Sequence, residues 1–152
     1  VPTIARVQGA AIGGGAGLMT VCDFAFTHAQ SKVGYPEVDL HICPAVVAPW
    51  LIKKIGAGKA RAMLLAGGTI TGQQGFDAGL ATHLCDEGDL VQAVDDFAAN
   101  LARGGKEALA TTKHWLNELD GSLDDDLLQK GAYLSAKIIA GEEAVSRLKQ
   151  LY

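Results

Sequence analysis

The chain predicts an α/β fold in two parts, a mixed α/β body over residues 1–103 and an all-helical segment over 104–152. Three observations carry that reading. Short β-branched or alternating stretches, Val1–Val7 and Asp23–Thr27, mark strands in the first part. Between them Gly13-Gly14-Gly15 leads into the apolar run Ala16–Cys22. Beyond Gly104 no strand signal remains, and apolar residues recur at three- and four-residue spacing.

Taken in order, Val1–Val7 is a strand, the glycines are a turn, and Ala16–Cys22 is a short buried helix. Asp23–Thr27 and Lys32–Gly34 are strands, and Tyr35–Pro49 is loop and turn. Pro49 opens a helix that runs to Lys54 and stops at Gly56. Ala57–Ala66 is rich in helix formers and ends at Gly67-Gly68. Thr71 with Gln74 fits a capping box, and Gly79 closes that helix. Leu80–Leu84 reads as a strand, and Leu90, Val94, Phe97 and Leu101 mark an amphipathic helix. The tail holds three helices, traced by Leu109–Leu119, by Leu123, Leu127, Leu128 and Ile138, and by Val145, Leu148 and Leu151.

A net charge of −4 with 6% aromatics leaves no electrostatic footprint for nucleic acid. No stretch approaches the ~20 apolar residues of a membrane helix. Cys22, Cys43 and Cys85 lie far apart and form no CxxC pair, so they read as reduced thiols of a cytoplasmic or organellar-matrix protein, not a zinc site.

The segment Gln8–Asp23 carries the most chemistry. A strand, three glycines and a helix start expose backbone N–H groups, because the first amides of a helix are unpaired and glycine permits close approach. The helix dipole adds partial positive charge there. Such a site suits an oxygen carrying negative charge, a phosphate or an enolate. A dinucleotide fingerprint fails because Leu18 stands where its last glycine belongs, and a P-loop fails for want of a lysine. A glycine turn that merely packs helix on strand fits the loop equally well. Glu37, after Pro36, reads alone as a solvated surface carboxylate.

Together the segments resemble the crotonase, or enoyl-CoA hydratase/isomerase, family. The resemblance rests on Gly13-Gly14-Gly15, Cys22-Asp23, Gly34-Tyr35-Pro36-Glu37, and Pro44 seven residues after the glutamate. Gly56–Ala66 followed by Thr71–Gly79 and Leu80 matches later parts of the pattern. It implies a ββα spiral core, here its C-terminal two-thirds, and a helical segment that assembles homotrimers or dimers of trimers. It also implies an acyl-CoA substrate, with no membrane partner and no metal or redox cofactor. Position by position, Gly14 would supply one oxyanion-hole amide and Glu37 the proton-transfer carboxylate. Gly13, Gly15, Gly17, Pro36, Pro44 and Ala45 would line the substrate.

The chain departs from the pattern at several points. Family hydratases with two glutamates carry the first at the position of Gly17, and dienoyl-type isomerases carry an Asp at that of Ala45. One glutamate at position 37 is the arrangement of the family's double-bond isomerases, and a non-catalytic acyl-CoA-binding or scaffold relative is the reading from another class. The stretch Pro44–Trp50 resembles a branch of methylglutaconyl-type and isohexenylglutaconyl-type hydratases. His41 replaces a family glycine and reads as structural or exposed. The family's other oxyanion amide and its adenine loop lie upstream of the matched region, so the 152 residues alone are expected to turn over poorly.

Overall fold

The structure is a computed structural model and describes residues 1–150. Six short strands make two three-stranded sheets. In the first, β1 (Ile4–Arg6), β3 (Phe24–His28) and β6 (His83–Cys85) run parallel in the order β1-β3-β6. In the second, β4 (Lys32–Gly34) lies between a parallel β2 (Ala10–Ile12) and an antiparallel β5 (Thr69–Thr71). Parallel pairing demands crossovers. Helix α1 (Gly14–Val21) provides the first, returning the chain from β2 to β3.

Helix α2 (Ala48–Ile55) packs on α1 and on α3 (Ala57–Ala66), α4 (Gly72–Ala78) touches strands of both sheets, and α5 (Leu90–Leu101) packs on the first. Thr71 caps α4 with the reciprocal bonds of a capping box, and Gly79 ends it in the left-handed region. Met19, Val33, Tyr35, Leu51 and Leu80 form the centre of the core. A second contact set joins α5 to the first sheet, where Phe26 stacks on His83 at 4.1 Å and Phe97 meets both rings edge-on or tilted.

Several strands differ from the expectation. β2 and β5 are additional strands of three residues each, which pair on either side of β4. The last strand of the body is His83–Cys85 instead of Leu80–Leu84, since Leu80 and Ala81 are buried in the core after the α4 cap. The first helix begins at Gly14, earlier than Ala16, and Leu123 precedes its helix. The Tyr35–Pro49 loop contains a 3₁₀ turn, Pro36–Leu40.

The tail holds α6 (Lys106–Leu119), α7 (Asp125–Ile139) and α8 (Glu142–Lys149); Leu151 of the expected last helix lies outside the described residues. Trp115, Leu116, Leu119, Leu123 and Tyr133 remain more than half exposed. Among the described residues no helix is long and apolar enough to cross a membrane, no group of acidic, His and Cys side chains is arranged to hold a metal, and the three cysteines are free.

One polar node ties α6 to the first sheet. The Asp23 carboxylate accepts from Lys113 Nζ at 2.6 Å and from Thr3 N–H at 2.6 Å and Thr3 Oγ1 at 2.9 Å. Burial alone would raise the Asp23 pKa, but Lys113 and Thr3 outweigh it and hold the group below its ordinary value. A carboxylate whose folded pKa is depressed contributes stability above its unfolded value of about 3.9 and loses it as pH falls through the lower folded value. Asp23→Asn should therefore cost about 1–2 kcal/mol at neutral pH, kept small by partial exposure of both partners. Thermal melts from pH 7 to pH 2 should show that difference shrinking in acid.

Candidate active site

The sharpest bend in the chain is at Gly13, which leaves β2 and enters α1 in one step with φ +57° and ψ −119°. A side chain there would be strained, and an added Cβ would lie 3.5 Å from Glu37 Oε1. Gly13 N–H donates to Gly34 O at 2.9 Å, which anchors the turn to β4. The first helical bond runs from Gly17 N–H to Gly13 O at 2.9 Å, so the amides of Gly14, Gly15 and Ala16 precede it. Gly14 is the first residue of α1 and is exposed, and its N–H makes no hydrogen bond among the described residues.

Glu37 stands on the 3₁₀ turn, with Pro36 at its first position. Proline fixes φ and needs no amide partner there, so the turn starts sharply after Tyr35. Glu37 Oε2 is buried and has no hydrogen-bond partner among the described residues. Burial pushes the Glu37 pKa up, against a smaller opposing effect of its own backbone amide. A carboxylate half removed from water, close to Gly13 and short of partners, is chemically disposed to take a proton.

Tyr35, fully buried, joins this turn to α1. Its hydroxyl pairs with Thr20 Oγ1 at 2.5 Å and donates to Ala16 O at 3.2 Å. Burial raises its pKa, the Thr20 bond opposes that, and the Glu37 charge adds to it. The sequence placed Tyr35 in a loop and in the Gly34–Glu37 motif but gave no sign of these bonds, because no local spacing announces a bond across fifteen positions.

Gly17 is buried, and an added Cβ would lie 2.6 Å from Val47 Cγ1. The space where a second carboxylate would begin is therefore occupied by the Val47 side chain, a residue the sequence reading passed over. Gly15 is exposed on the outer face of α1. Gly13, Gly14, Gly17, Pro36 and Glu37 thus gather around the start of α1. Pro44 and Ala45 have other neighbours as well. Pro44 lines an apolar cavity of about 530 Å³ with Val38, Ile42, Cys43, Leu64, Leu65, Leu134 and Ile138. Ala45 presents its carbonyl to Gly131 of α7, where an added Cβ would come within 2.9 Å. His41 has the left-handed backbone of a turn end, with φ +59°, and its Nδ1 lies 3.4 Å from Glu143 Oε1. Its site is structural and partly exposed.

Comparison with known proteins places this geometry. The family model described as enoyl-CoA hydratase/isomerase matches residues 1–141. The crotonyl-CoA hydratase of Syntrophomonas wolfei is 31% identical over 118 residues, covering 77% of this chain and 45% of that protein. The 2,3-dehydroadipyl-CoA hydratase of Escherichia coli is 32% identical over 118 residues, with 77% and 46% covered. The crystal structure of an enoyl-CoA hydratase/isomerase from Pseudoalteromonas atlantica superposes with a TM-score of 0.91 at 20% identity, covering 99% of this chain and 61% of that one. The chain spans about half the length of the curated relatives it matches. With its two small sheets, its glycine turn and a family match over residues 1–141, the chain belongs to the enoyl-CoA hydratase/isomerase family.

Proposed function

We propose that this chain is part of an enoyl-CoA hydratase/isomerase-type enzyme in which Glu37 moves a proton while Gly14 N–H stabilises an enolate. The observation that carries the reading is the buried, unpartnered Glu37 Oε2 beside a helix start whose Gly14 amide is also unpaired. Adding water across the 2,3 double bond of an acyl-CoA, or moving that bond, puts negative charge on the thioester oxygen. A fixed N–H donor there is worth roughly 3–4 kcal/mol in the transition state. Glu37 then takes or returns the proton at the carbon skeleton. In this reading the exposed apolar residues of α6 and α7 meet other copies in a homotrimer or dimer of trimers. No metal or redox cofactor enters the scheme.

A second reading, a double-bond isomerase with one shuttling glutamate, is favoured by Val47 lying against Gly17. A single carboxylate serves a proton moved from C2 to C4 without an added water. Relative rates on 2-enoyl-CoA and 3-enoyl-CoA substrates separate the two. Unchanged binding of acyl-CoA with no turnover of either would instead support the scaffold reading.

Glu37→Gln keeps the shape and removes the basicity, so turnover should fall roughly 10²–10⁴-fold while acyl-CoA binding persists. A variant within threefold of the wild type would end the assignment. The acid limb of the wild-type kcat/KM profile should lie above the ordinary glutamate value of about 4.3, since the base must be ionised and burial raises its pKa.

The same burial gives a stability test. A carboxyl group whose folded pKa is raised contributes stability that is complete below its unfolded value and is lost as pH rises through the folded one. Glu37→Gln should therefore melt above the wild type at pH 7, and the advantage should vanish near pH 4. Equal melting temperatures at both pH values would mean that Glu37 is well solvated.

Gly17→Glu alone should destabilise the fold by about 1–3 kcal/mol, because its Cβ meets Val47. The double variant Gly17→Glu/Val47→Ala should recover most of that loss and raise hydration relative to isomerisation. Full stability of the single variant, measured by denaturant titration, would refute the steric account.

A further inference from the structure

We propose that α8 is a positioning element for Glu37, with Arg147 and Glu143 holding the 3₁₀ turn through the carbonyl of Asp39 and the ring of His41. The inference rests on the reading of Glu37 as the proton-transfer group and extends it to the far end of the chain. Apart from the contact of Glu143 with His41, α8 takes no part in the site already described.

The argument begins with what does not orient Glu37. Among the described residues Oε2 has no partner, and only the residue's own backbone amide lies where it favours the charged form. The carboxylate is therefore placed by the backbone that carries it, and the question becomes what fixes that backbone. On the inner side Tyr35 is bonded to Thr20 and Ala16. From the link between α3 and β5, Gly68 N–H donates to Asp39 Oδ2 at 2.8 Å. The outer side is held from α8, where Arg147 Nε donates to Asp39 O at 3.2 Å and Glu143 Oε1 lies 3.4 Å from His41 Nδ1.

Two further observations separate this contact from incidental packing. Helix α8 packs chiefly against α7 and this turn, with Ala144 buried to 1% exposure, so the turn is a main tertiary partner of the helix. His41 also ends the turn at φ +59°, a conformation that residues with a Cβ seldom adopt and that persists when the surroundings impose it. His41 N–H closes on Val38 O at 3.1 Å and Ile42 N–H on Glu37 O at 2.8 Å, so release at His41 passes directly to Glu37.

The test uses Arg147→Ala, which removes the donor, and Arg147→Lys, which keeps one. Arg147→Ala should lower kcat ~10-fold or more through small misplacement of the carboxylate. KM should stay within ~2-fold, the pattern of an interaction used at the transition state. Amide exchange at His41 and Ile42 should accelerate, and the Glu37 carboxyl, followed by carbon-13 NMR, should titrate nearer its ordinary value as the turn opens to water. Arg147→Lys should restore most of each signal. Wild-type kcat, exchange and titration in Arg147→Ala would overturn the proposal, as would a lowered melting temperature with all three unchanged. If Glu37→Gln leaves turnover intact, the assignment of Glu37 fails separately, and the exchange and titration data alone decide whether α8 holds the turn.

Discussion

The hydrogen bond from Gly13 N–H to Gly34 O organises this molecule, since it fixes the place where a strand becomes a helix. β2 must end and α1 begin within one residue, and only a residue without a Cβ does this cheaply at φ +57°. Because β4 supplies the acceptor, the start of α1 is registered against the strand that leads into the Glu37 turn. The Tyr35 hydroxyl repeats that registration one turn of helix deeper, at Ala16 O and Thr20. The start of α1 and the Glu37 turn are therefore held to one another at two places, by the Gly13–Gly34 bond and by the Tyr35 hydroxyl.

Electrostatics follows from that geometry. Glu37 is kept partly from water by the same turn that brings it to Gly13, and its raised pKa is the cost of the location. Asp23 shows the opposite arrangement at the far end of α1, where Lys113 and Thr3 hold the charged form below the ordinary range. One carboxylate is left short of partners and the other is saturated with them. The first is the group we propose to exchange a proton, while the second fastens α6 to the sheet.

Much of this was legible in the sequence where the cause is local. The α3 helix over Ala57–Ala66, the Thr71–Gln74 capping box and the Gly79 stop were read at their observed positions, because caps and breakers act over three or four residues. The glycine turn and the Pro36-Glu37 step were read as a pair only through the resemblance to the family, since each alone fits a packing turn or a surface carboxylate. Illegible were the features that depend on distant residues. β2 and β5 are three residues long and exist because β4 lies between them. Val47 against Gly17 and α8 against Asp39 join positions 30 or more residues apart, and no periodicity carries such information.

Gly34 has a consequence for how variants of this protein will be interpreted. Its carbonyl receives the Gly13 amide, and an added Cβ would collide with the Gly68 carbonyl and lie 2.7 Å from Thr69 Cα. Any side chain there wedges β4 from β5 and carries Gly13 along with β4. A library scored by growth or turnover would rank position 34 beside Glu37, although it touches no reacting atom. Intolerance mapped along the chain would thus outline the support of the site as strongly as the chemistry, and only measurements on folded, soluble variants would tell the two apart.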